Sequence, residues 1–213
     1  MNKIRSILIL TVIVSMISCN PTVTFDEPQP AGVKNLQKFP NRLQGEYLSL
    51  TDNSLLTINN HLIQRIYNFD NKININELDS NFRLSGDTLI DLISDEKTLV
   101  KRVGDSLINH VYYVDTLFEI NQENVVRKFK GFYFINKLFD KGMWEVKKIQ
   151  LLKGQLIISK ISTKNDLDNL RAITETPMDT IYPYKIKATK KQFKHFVKSN
   201  GFSDSETFIL QKK

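Results

Sequence analysis

The side chains best suited to covalent or acid–base chemistry are one cysteine, Cys19, and three histidines, His61, His110 and His195. A metal centre or a paired general base needs such groups at short spacings, as in His-x-x-x-His, so that one element presents two of them together. The histidines here lie far apart in the chain, and Cys19 closes an apolar N-terminal run. No Gly-x-Ser-x-Gly, glycine-rich phosphate loop or His-Glu-x-x-His is present. The carboxylate pairs Asp95-Glu96 and Asp166/Asp168 fall in a turn and at a helix start, where acidic residues serve structure. No catalytic, metal-ligating or cofactor-binding residue is assigned, and no cofactor is expected. An enzyme whose groups converge only in the fold stays open as a third reading.

Cys19 has a different chemistry in prospect. Lys3 and Arg5 make a short positive start, and the run Ile7 to Ile17 contains only Thr11 and Ser15 as polar residues. Its eleven residues fit the apolar core of a secretory signal peptide, and a membrane-spanning helix needs roughly 20. The basic start, the short apolar core and Met16-Ile17-Ser18-Cys19 resemble the signal and lipobox of bacterial lipoproteins, with methionine where leucine is usual. The resemblance implies cleavage after Ser18, diacylglycerol on the Cys19 sulfur and acylation of the new amino terminus. One acyl chain gives marginal membrane binding, whereas two or more hold stably. The chain has no second cysteine, so it builds no internal disulfide and depends on its core. No acidic cluster follows Cys19, and the expected location is the outer membrane, facing the periplasm.

Charge is the next signal. Residues 21–123 carry 9 basic and 15 acidic side chains, whereas residues 124–213 carry 19 basic and 8 acidic ones. Such asymmetry points the basic half at an anionic partner: an acidic protein, anionic lipid or another polyanion. Nucleic acid is disfavoured, because no nucleic-acid fold motif is visible and an exported protein meets little of it. The densest basic group is Lys190, Lys191, Lys194 and Lys198. These lysines either form a contact surface or merely solvate a helix whose Phe193, Phe196 and Val197 pack inward.

The elements that would position these groups are mostly strands. Residues 20–40 hold four of the six prolines and read as a semi-rigid tether, with docking as a short edge strand the alternative. From Asn41 onward short alternating apolar bursts are separated by turn residues: "GEYLSL", "SLLTI", "HLIQRIY", "DTLIDLI", "KTLVKRV", "SLINHVYYV", "VVRKFKGFYFI", "MWEVKKIQL" and "QLIISKI". "GDTLI" and "GDSLI" repeat a Gly-Asp turn before a strand. The spacing predicts an all-β, mainly antiparallel meander, either barrel-like or a strongly curved sheet. Two short helices come near the C-terminus, one over "NDLDNLRAITE" and one capped by Thr189 and Gln192 with Gly201 as the left-handed residue after it. A last strand, "ETFILQ", follows.

The expected organisation is a signal peptide over 1–18, a lipidated tether over 19–40 and one β-rich domain over 41–213. "GEY" opening a meander and a late hairpin bearing Trp144 resemble lipocalin-like barrels, on motifs too short to carry any residue across. As a whole the chain resembles β-rich envelope lipoproteins of Gram-negative bacteria. The function expected is a non-catalytic, lipid-anchored envelope protein binding a macromolecule through its basic half. A small-molecule-binding barrel is the alternative.

Overall fold

The computed structural model describes residues 21–177 and 181–212. Cys19 and the residues of the expected signal peptide lie outside the described residues. Two compact units are resolved where the sequence suggests one domain over 41–213: a smaller one, Tyr67–Tyr113, and a larger one made of the described residues on either side of it.

The chain begins in the larger unit with β1 (Val23–Phe25), β2 (Asn35–Leu36), β3 (Gly45–Ser49), β4 (Leu55–Ile58) and the first part of β5 (Leu62–Asn74). The rest of β5 belongs to the smaller unit, with a 3-10 turn at Ile75–Glu77, then β6 (Phe82–Ser85), β7 (Thr88–Asp91), β8 (Lys97–Leu99) and β9 (Lys101–Val103). β10 (Ser106–Glu119) leads back to the larger unit. There follow β11 (Asn124–Phe129), β12 (Phe132–Asp140), β13 (Met143–Leu152), β14 (Gln155–Lys160), helix α1 (Lys164–Thr174), β15 (Tyr184–Ile186), helix α2 (Lys190–Lys198) and β16 (Asp204–Lys212).

The fold is all-β and mainly antiparallel with two short helices, as the alternating pattern requires. Strand order in the main sheet is β2-β11-β12-β13-β14-β16-β3-β4-β5-β10-β9, and the path does not close, so it is a curved sheet and not a sealed barrel. Lys130-Gly131 and Lys153-Gly154 both take positive φ, which gives the β11–β12 and β13–β14 hairpins a turn matching strand twist. Among the described residues no helix is long and apolar enough to cross a membrane.

Alternation sorts the larger unit's side chains into two cores. On β12, Tyr133 and Ile135 join Phe39, Leu43, Tyr47, Leu56, Ile149, Leu156 and Phe208 on one face. The Tyr47 hydroxyl there donates to the Leu43 carbonyl at 2.8 Å, whereas the buried Tyr133 hydroxyl has no hydrogen-bond partner among the described residues. Phe134, between those two residues, points to the other face and packs with Phe25, Val146, Leu170, Phe193, Phe196 and Phe202 beneath the helices. The smaller unit has its own core of Leu89, Val100 and Leu107, with Ile73, Ile75, Leu78, Phe82 and Leu84 half-buried around it.

Two expectations are corrected. From residue 21 onward the proline-rich segment is fixed to the larger unit and is no free tether. β1 pairs in parallel with β15 and meets β13 at Phe25↔Trp144. The Gln29 amide donates to Asn136 Oδ1 at 2.6 Å, and Asn136 Nδ2 donates back to the Gln29 carbonyl at 3.0 Å. Prolines remove donors but keep acceptors, and the Arg127 guanidinium donates to the carbonyls of Pro28 and Pro30. Fully buried Phe25 and Phe39 anchor the two ends.

The second correction concerns the end of α2. Asn200, with φ 58, is the left-handed residue, and the Gly201 amide donates to the Phe196 carbonyl at 3.1 Å. That closes a Schellman turn one residue earlier than expected. Gly201 serves instead as clearance: a Cβ there would lie 2.4 Å from the Phe196 ring.

Candidate functional site

α2 sets out the basic group. Thr189 and Gln192 form the expected capping box, with the Thr189 hydroxyl accepting from the Gln192 amide. Phe193 and Phe196 are fully buried and Val197 nearly so, which fixes the rotation of the helix. Phe193 meets Phe134 at 5.1 Å and Phe25 at 5.8 Å between ring centroids, and Phe196 meets Phe202 at 5.4 Å. With that face locked inward, Lys191 and Lys198 stand exposed and Lys194 half-buried on the other.

α1 supplies the opposite wall. Thr163 caps it, and Asp166 in its first turn is buried, accepting from the amide and hydroxyl of Ser203 at 2.9 Å each. The Asn169 amide group donates to the Ser199 hydroxyl at 2.9 Å, tying the two helices together. Between them runs a groove of about 560 Å³ lined by Ile173, Glu175, Lys191, Lys194, His195 and Lys198, with Thr189 and Gln192 at one end. Lys191, Lys194 and Lys198 follow i, i+3, i+7 spacing and spread over about 10 Å of helix axis. Glu175 is the one carboxylate in the lining.

The sequence-expected residues are thus partly brought together. Lys191, Lys194 and Lys198 share the groove, but Lys190 does not line it and lies 5.6 Å from the centroid of the Phe129 ring. His195, which the sequence marks only as an isolated histidine, joins the three lysines. Its position four residues after Lys191 was the available signal. Lys190 and Lys191 occupy the first turn of α2, which contains no acidic residue. Cations there oppose the helix dipole at a cost of about 0.3–1 kcal/mol each.

Two further charged groups are structural. Lys148 lies 5.5 Å from the centroids of both Phe132 and Phe202. Burial pushes its ammonium below the usual lysine range, and Asp166 pulls the other way. Arg65 pairs with Asp52 and Glu206 and donates to the Ser54 hydroxyl at 2.6 Å. Burial works against ionisation of Asp52, but hydrogen bonds from Ser54, Arg65 and Ser49 outweigh it and hold the carboxyl at about 2.

His61 and His110 do not line the groove, and His110 Nδ1 is 2.9 Å from Asp70 Oδ1. Among the described residues no three His, Cys, Asp or Glu side chains converge as a metal site. The groove gathers three ammonium groups and an imidazole on one helix face, a chemistry complementary to spaced anionic groups. No protein-family model, curated protein or solved structure matches the chain.

Proposed function

We propose that this chain is a lipid-anchored lipoprotein of the cell envelope, held by acylated Cys19 at the outer membrane and facing the periplasm. Its larger unit docks a polyanionic partner in the groove beside α2, without catalysis. The observation that carries the reading is the set Lys191, Lys194, His195 and Lys198 lining one groove on a helix whose opposite face is locked by Phe193 and Phe196. Placing Lys191 against the helix dipole supports it, because folding alone gains nothing from a cation there. The cluster of buried side chains around Tyr47 and Tyr133, on a sheet that does not close, favours a surface contact over a ligand held inside a barrel.

The test uses the full chain and two variants. Cys19→Ser is expected to leave an unprocessed precursor or to release the protein from membranes. The triple variant Lys191→Glu/Lys194→Glu/Lys198→Glu stays membrane-bound but loses binding to polyglutamate and polyphosphate. Parent binding weakens strongly between about 0.1 M and 1 M salt, as screening shortens from roughly 10 Å to 3 Å. The triple variant keeps its thermal stability, because the reversals at Lys191 in the first turn and at Lys198 in the last turn act on the helix dipole with opposite sign. Membrane retention of a processed Cys19→Ser protein at high salt refutes the anchor. Unchanged polyanion binding by the triple variant refutes the groove.

A further inference from the structure

The smaller unit contains a second cleft of about 370 Å³, formed wholly by its own residues. The floor is Ile73, Leu78, Phe82, Leu89 and Val100, the same residues that make up much of the unit's small core. Around it stand the carboxylates Glu77, Asp79, Asp91 and Glu96, with Asn71, Thr98, Asn109, His110 and Tyr112 completing the polar rim.

No lysine or arginine lines this cleft, although residues 67–113 contain five of them, Lys72, Arg83, Lys97, Lys101 and Arg102. Strand alternation explains the sorting. Lys72 sits between Asn71 and Ile73, Arg83 follows Phe82, Lys97 sits between Glu96 and Thr98, and Lys101 follows Val100. On β5 to β8 the lining residues share one parity and Lys72, Arg83 and Lys97 take the other, whereas β10 lines the cleft with the consecutive residues Asn109 to Tyr112; all five bases are exposed. Among the described residues no ion pair involves Glu77, Asp79, Asp91 or Glu96.

Asp91 is the sharpest of these groups. It is only 7% exposed and accepts from the Ile93 and Ser94 amides at 2.8 and 3.3 Å. Those bonds, the Ile93 amide foremost, hold its carboxyl below the usual range, so it is charged while nearly buried at the cleft. An apolar floor inside an anionic rim without lysine or arginine, its one imidazole (His110) set against Asp70 at 2.9 Å, is complementary to one kind of occupant.

We propose that this cleft binds a small organic cation, an ammonium or guanidinium group carried on a hydrocarbon or aromatic body. The apolar body lies on Ile73, Leu78, Phe82 and Leu89, and the charge meets the carboxylates at the rim. Its volume falls at the lower end of small-molecule sites, roughly 300–1,000 Å³, which suits one such molecule and not a folded partner. Exposed Tyr112 offers a ring face to the same cation. The site is independent of the lysine groove, and each proposal can fail without the other.

The experiment titrates the full chain with n-octylammonium, and in parallel with n-octanol, octanoate, n-butylammonium and tetralysine, by calorimetry. Octylammonium is expected to bind at one site, with octanol and butylammonium clearly weaker and octanoate silent. The variant Glu77→Gln/Glu96→Gln changes two exposed rim residues, and its fold is verified by circular dichroism. It should bind octylammonium about five- to tenfold more weakly. Octanol binding as tightly as octylammonium, or a double variant that binds unchanged, removes the electrostatic half of the proposal. Butylammonium matching octylammonium removes the apolar half. No octylammonium binding, or tetralysine binding in its place, overturns the site.

Discussion

Truncating Phe193 to alanine tests the packing that orients the basic groove. The side chain is fully buried, and its ring meets Phe134, Phe25 and Phe202 at 5.1, 5.8 and 6.0 Å between centroids, all edge-on. Removing a buried phenylalanine costs about 3–5 kcal/mol, and edge-to-face pairs add about 0.5–1.5 kcal/mol beyond area burial, which puts Phe193 high in that range. Alanine recovers a few tenths through its better helix propensity, leaving about 4 kcal/mol net. For a chain of this size that lowers the melting midpoint by roughly 8–16 °C. Trp144 is the only tryptophan and pairs with Phe25 across β1 and β13, so its fluorescence reports the larger unit. Urea unfolding followed at Trp144 should show a lower midpoint with an unchanged slope, the signature of lost stability and not of altered compactness. A loss under 1 kcal/mol would refute the reasoning: the phenylalanine face would then not be holding the helix, and the orientation of Lys191, Lys194 and Lys198 would have no support.

Gly201→Ala should destabilise by about 1–3 kcal/mol, because the added methyl lies 2.4 Å from the Phe196 ring, whereas Asn200→Gly, at the left-handed position, should be nearly neutral. A glycine-to-alanine change without effect in thermal melts would show that Phe196 can move. Acid titration of stability should isolate Asp52: its carboxyl is held at about 2 against 3.8 for a free aspartate, so its contribution is intact above about pH 4 and lost as pH falls toward 2. Its side chain is 38% exposed, and after screening the effect is about 1 kcal/mol. Asp52→Asn should flatten that part of the profile in urea midpoints measured from pH 2 to 6; an unchanged profile contradicts the assignment.

The strands were legible because one rule dominates them. Tyr133, Phe134 and Ile135 alternate between two buried faces, which marks strand, but the single burst "VVRKFKGFYFI" is two strands joined by a tight turn at Lys130-Gly131. The capping box of α2 is equally local, with Thr189 and Gln192 three residues apart. The proline-rich segment misled for a physical reason: proline composition describes a backbone without donors, and says nothing of partners elsewhere that satisfy its carbonyls. Arg127 lies 97 residues from Pro30 and Asn136 lies 107 from Gln29, separations at which no local pattern operates. Apolar Val23, Phe25 and Phe39 were the available warning, since an exposed spacer has no use for them.

The two clefts differ in legibility for a related reason. The basic groove lies largely on one helix, where i, i+3, i+7 spacing converts directly into a shared face, and only the α1 wall of Ile173 and Glu175 needed tertiary structure. The acidic cleft is drawn from three short strands and a 3-10 turn besides the two long strands, and its charge is invisible in sequence because bases and acids alternate there. Residues 67–113 read as only mildly acidic, with eight acidic and five basic side chains. Alternation on β5 to β8 then turns Lys72, Arg83 and Lys97 away and leaves four carboxylates around an apolar floor. A net charge averaged along a strand cancels what the two faces keep separate, so a site of this kind emerges only when parity is assigned strand by strand and the register joins the lining faces together.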